Sequence, residues 1–66
     1  MVIESAHDGV LRRIAEQEGR IRRQEQLVAD LAGNARAAPK AEELLHVMRA
    51  TLSVLRACLE HFEEPN

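Results

Sequence analysis

Tyrosine and tryptophan are absent from these 66 residues, and Phe62 is the one aromatic. The core therefore has to be built from Leu, Ile, Val, Met and Ala. Cys58 stands alone, so no intrachain disulfide can staple the fold. No stretch approaches the ~20 consecutive apolar residues of a membrane-spanning helix. Met1 to Ala6 carries Glu4 and no cation, unlike the start of a secretory leader. With a single free cysteine, that leads us to expect a cytoplasmic protein. Basic charge is not in excess either: nine Lys and Arg face eleven Asp and Glu, a net charge of −2. A globally basic nucleic-acid binder is excluded on that count. No Gly-rich phosphate loop and no Ser–His–acid set occurs, so we expect neither an enzyme nor a cofactor. Period-two runs of β-branched or aromatic residues are missing too, and with them any strand.

What is present is helical punctuation. Ser5 reads as the N-cap of a first helix over residues 5–32, with Asp8 as a rival cap because Gly9 is a poor interior residue. Gly33 and Asn34 read as a left-handed C-terminal stop. Residues 33–38 form the turn. Pro39 suits the first position of a second helix over 39–63, with Glu42 and Glu43 in its first turn. Pro65 ends that helix.

Both helices carry a heptad-like apolar seam. The first reads Ile3, His7, Val10, Ile14, Gln17, Ile21, Gln24, Val28 and Leu31, widened by Leu11 and Leu27. The second reads Ala38, Ala41, Leu45, Met48, Leu52, Leu55, Leu59 and Phe62, broadened on one flank by Leu44, Thr51 and Cys58. A face that wide exceeds what two antiparallel helices can bury against each other. Chains this short normally need a disulfide, a metal or a partner to complete a core. We therefore expect an all-α protein, an antiparallel two-helix hairpin assembling into a homodimeric four-helix bundle. The residues expected to carry self-association are Ile14, Ile21, Val28, Leu45, Met48, Leu52, Leu55, Leu59 and Phe62.

The polar residues admit two readings each. Glu16–Arg20 and Glu18–Arg22 have the spacing of helix-supporting ion pairs. Parallel packing of two first helices would instead set Arg13 against Glu18 and Arg20 against Glu25 of the other chain. Gln17 and Gln24 lie in the seam, either buried to fix register or hydrated at its rim. His7, in the same seam, is expected to be exposed at a fraying end. Glu43 and His46 form an E-x-x-H, but the heptad sends both outward and the first helix offers no facing core Glu, which argues against a metal. Cys58 and His61 are three apart, and two ligands do not make a zinc site. On the apolar flank Cys58 reads as a small core hydrophobe, with a bridging or reactive thiol as the other reading. Arg12, Arg20 and Arg23, with Arg13 and Arg22, are the candidate nucleic-acid contacts. Interleaved Glu16, Glu18 and Glu25 and the lack of stacking aromatics weaken that reading. Gly19 suggests a kink or the close approach of another helix.

Two resemblances rest on these residues. Ile14-Ala15-Glu16, Glu18, Arg20-Ile21, Gln24, Leu27-Val28 and Leu31, followed by Ala41-Glu42, Leu44-Leu45, Met48 and Thr51-Leu52, resemble a set of short, uncharacterised bacterial helical-hairpin proteins. The chain departs from them at Arg13, where His is frequent, and at Gly19. That resemblance implies a hairpin and no activity. Arg56, Cys58, Leu59 and Phe62 resemble the end of the second helix in the plasmid copy-number regulator family of Rop. It implies a dimeric four-helix bundle that binds RNA. The Phe that the family uses on its first helix has no counterpart here, so the RNA contact is not carried over.

Overall fold

A computed structural model describes residues 5–63, with nothing described of the Glu63 side chain. Ile3 of the first seam and the stop at Pro65 lie outside the described residues. Two helices, α1 (Ala6–Asp30) and α2 (Ala37–Glu63), pack antiparallel as a hairpin.

Ser5 is the N-cap of α1. Its Oγ accepts the Asp8 backbone N–H at 3.1 Å, supplying one of the acceptors that a helix start lacks. Asp8 is inside the helix rather than capping it. The other end differs from the expected left-handed stop, since no described residue has positive φ. Short-range bonds close α1 instead: Ala32 N–H donates to Ala29 O at 3.4 Å and Asn34 N–H to Leu31 O at 2.8 Å. Such tightened turns satisfy the last carbonyls without calling on the freedom of Gly33.

Asn34 starts α2. Its Oδ1 accepts from the backbone N–H of Arg36 (3.0 Å) and Ala37 (2.9 Å), and its carbonyl accepts from Ala38. Because Asn34 nucleates the turn, α2 begins two residues before Pro39, which falls in the first turn where a missing N–H is tolerated. Glu42 and Glu43 are consequently displaced beyond the first turn.

The seams meet along the hairpin. Ile21, Leu45 and Leu52 form the buried cluster, with Ile14, Val28 and Met48 packed on it. Ala41 is buried beside them. No described side chain falls below 2% exposure. The molecule measures 49 × 29 × 12 Å, a single layer of two helices. Stable domains generally need a second layer over the first.

Candidate association face

Gln17 and Gln24 set the geometry from which the site follows. Both are buried, at 9% and 7% exposure. Gln17 Nε2 donates to Met48 O at 3.0 Å, and Gln24 Nε2 donates to Ala41 O at 2.9 Å. A helix carbonyl keeps a second lone pair after its own backbone bond, so it can take this additional donor. Seven residues forward on α1 match seven residues back on α2. The buried reading of the two glutamines is therefore the correct one. Sliding one helix along the other would break both bonds together, so the pair opposes a change of register. No buried side-chain nitrogen or oxygen among the described residues lacks a partner.

The charges repeat the same step. Arg49 Nη2 lies 3.0 Å from Glu25 Oε2, and Arg56 Nη2 lies 3.7 Å from Glu18 Oε2. One side of the hairpin is thus laced by cross-helix ion pairs. The i, i+4 pairs expected of Glu16–Arg20 and Glu18–Arg22 are replaced: Glu16 takes Arg12 at 3.2 Å, and Glu18 reaches across to α2. Glu18 stands on the edge of α1 that faces Arg56, which puts the cross-helix guanidinium within its reach.

The other side is different in kind. Heptad position places Leu27 of α1 and Leu44, Thr51 and Cys58 of α2 opposite the ion-paired edge. Val47 and Val54 continue the α2 surface outward. Leu27, Leu44, Val47 and Val54 are 44, 48, 53 and 63% exposed. Thr51 Oγ1 donates to Val47 O at 3.0 Å, so its hydroxyl is satisfied within α2 and leaves the methyl to the surface. Leu44, Val47, Thr51, Val54 and Cys58 follow each other at spacings of three and four, a second heptad line on α2. Cys58 is exposed, not a core residue. It sits at the edge of the contact, where one neighbouring helix cannot cover it.

The nine residues expected to carry association divide by depth. Ile21, Leu45 and Leu52 are buried within the one chain; Ile14, Val28, Met48, Leu55 and Leu59 are half-buried; Phe62 is exposed. The ring of Phe62 meets His7 edge-on, with centroids 6.3 Å apart. That contact leaves His7 partly buried instead of free at a frayed end. The stripe runs beyond the flank of Leu44, Thr51 and Cys58 into Val47 and Val54, and its three–four spacing is the sequence signal for it.

Arg12, Arg20 and Arg23 do not converge. Arg12 is engaged with Glu16 and borders a depression shared with Phe62 at one end of the hairpin, whereas Arg20 and Arg23 are exposed toward the apolar side. Gly19 also points outward: an added Cβ would meet only Arg23 Nη1 at 3.8 Å and Arg22 Nη2 at 4.0 Å, and α1 runs through it unbroken. Glu43, His46 and His61 are exposed, and no three His, Cys, Asp or Glu side chains group among the described residues. An open depression of about 360 Å³ is lined by Ala6, Gly9, Val10, Arg12, Arg13 and Phe62, which supply neither carboxylate nor nucleophile. No described helix is long and apolar enough to cross a membrane.

Comparison with protein-family models, curated proteins and solved structures finds no match to this chain.

Proposed function

We propose that the chain is a self-associating helical interaction module, and that two copies complete a four-helix bundle. One observation carries this reading: the hairpin is one layer thick, and an uncharged stripe from Leu44 to Cys58 lies open on it. Between Leu44 and Leu59 the charged residues are Arg49 and Arg56, and both turn to glutamates of α1. Contiguous exposed apolar side chains rimmed by polar residues are what association sites are made of. The half-buried Met48 and Leu55 border the stripe, so a second copy would also finish covering the seam.

Sedimentation equilibrium over a range of concentrations, with helicity followed by circular dichroism, tests the reading. A dimer that loses helix on dilution is expected. Val54→Asp should weaken association about a hundredfold or more, because each chain would bury an uncompensated carboxylate. In the separated hairpin Val54 is mostly exposed, so the variant's effect there should stay within about 0.5 kcal/mol. A chain that is monomeric and fully helical at all concentrations would end the proposal.

A second reading, contact of Arg12, Arg20 and Arg23 with nucleic-acid phosphates, has one observation in its favour. Arg20 and Arg23 are exposed and form no ion pair among the described residues. It requires binding that falls steeply with salt and weakens on replacing Arg20 and Arg23. The arginines share α1 with Glu16, Glu18 and Glu25 and with no aromatic, so self-association is the better supported of the two.

A further inference from the structure

We infer that the two copies pair through α2 in antiparallel orientation, about a two-fold axis at Thr51. This rests on the self-association reading and goes beyond it by naming the contact. The stripe is self-complementary about that residue. Reversing one α2 against another sets Thr51 on the partner's Thr51, Val47 on the partner's Val54, and Leu44 on the partner's Cys58. A large side chain thus meets a small one at each end, and two valines meet between. An interface related by a two-fold needs this property, since one patch must fit itself.

Three further features select a second copy in this orientation. First, the outward border of the stripe is Ala50 and Ala57, small residues that let another helix approach closely. Second, the Thr51 hydroxyl already donates to Val47 O, so burying Thr51 at the axis strands no donor. Third, antiparallel pairing opposes the helix dipoles, which a parallel pairing would set side by side with like ends together. Parallel pairing would also set Lys40, seven residues before Val47 on the same line, against the partner's Lys40. The glutamates that a parallel pairing of α1 would have used, Glu18 and Glu25, are held by Arg56 and Arg49 of their own chain.

The pairing fixes distances that a cysteine reads directly. At the axis the two copies of residue 51 are adjacent. The two copies of Cys58 lie about 21 Å apart along the helices, fourteen residues at about 1.5 Å each. A disulfide requires Cα atoms within about 7 Å. The test oxidises the full chain at concentrations where sedimentation gives a dimer, and separates the products by non-reducing electrophoresis. Thr51→Cys in a Cys58→Ser background should convert almost completely to a covalent dimer, while the unaltered chain, with its native Cys58, should not. As a second probe, Val47→Cys and Val54→Cys chains, each lacking Cys58, should cross-link when mixed and not when oxidised separately. Circular dichroism verifies that each variant keeps its helix. Ready cross-linking through Cys58 would replace this arrangement with a parallel one. A dimer that cross-links at none of these positions would overturn the α2 pairing and leave self-association standing. A monomer would remove both.

Discussion

The two sides of the hairpin are built from the same heptad step but differ in what they leave unfinished. On one side Glu18 and Glu25 reach Arg56 and Arg49, so the charges of α1 find their complement in α2. On the other, Leu44, Val47, Thr51, Val54 and Cys58 present an uncharged line on α2, beside which α1 sets Leu27 and the exposed Arg20. Between them lies a contact whose register is held by two buried carboxamides. The difference teaches how a short chain can fix the pairing of its two helices without covering all of its apolar surface. Polar groups inside and along one edge decide how the two helices meet. The side with Leu27, Leu44, Val47 and Val54 stays uncovered in the single chain.

The largest expected effect comes from striking the element that both sides share. Leu52 is 8% exposed and belongs to the buried cluster with Ile21 and Leu45. Leu52→Asp removes that contact and leaves a carboxylate without a buried cation. A loss of roughly 3–5 kcal/mol is expected, which a chain of this size cannot absorb. Helicity and association should vanish together in dichroism and sedimentation. A variant that remains a folded monomer would show that the hairpin core is independent of assembly. Val54→Asp should regain helix at about a hundredfold higher concentration and Leu52→Asp should not, which separates a defect of the open face from a defect of the fold.

A smaller and opposite effect is expected when both register glutamines are made apolar. Gln17→Leu with Gln24→Leu exchanges two desolvated carboxamides for side chains that the seam can pack. The double variant should be more stable by about 1–2 kcal/mol, with a higher melting temperature. It should also lose uniqueness, because leucines pack in more than one register. Sedimentation would then report several species where the unaltered chain gives one. A single sharp species with raised stability would show that the ion-paired side alone suffices to set register.

How far the sequence revealed all this depends on the kind of signal. Both helices, their antiparallel pairing and the seam from Val10 to Leu31 were legible, because a three–four period dictates one face of a helix. Ser5 was legible as a cap for an equally local reason. The second helix starts before Pro39, the residue that marks a helix start in sequence, because the Asn34 side chain reaches both Arg36 and Ala37. Partner choice among the charges was not legible. Glu18 has Arg22 four residues on and Arg56 across the hairpin, and the cross-helix partner wins in the fold. The open stripe was only partly legible. Leu44, Thr51 and Cys58 were visible as a flank, but their reach into Val47 and Val54 emerges once Ala41 and Met48 are fixed against Gln24 and Gln17. A periodicity marks an apolar face; which half of it a single neighbour covers depends on the neighbour's position.

The smallest expected effect sharpens the comparison most cleanly, because salt acts on the two sides in opposite directions. The Glu25 and Arg49 side chains are 47% and 56% exposed, so their 3.0 Å pair is a solvated one. A double-mutant cycle through Glu25→Gln and Arg49→Gln should give a coupling of about 0.2–1 kcal/mol at low salt. In about 1 M salt the screening length shrinks to roughly 3 Å, and the coupling should approach zero. Apolar association has no such dependence, and an excluded salt such as sulfate strengthens it. Raising sulfate should therefore erase the Glu25–Arg49 coupling in unfolding experiments while tightening the dimer in sedimentation. If sulfate instead dissociated the dimer, charged groups would be holding the chains together, and the apolar side would no longer be the surface on which they meet.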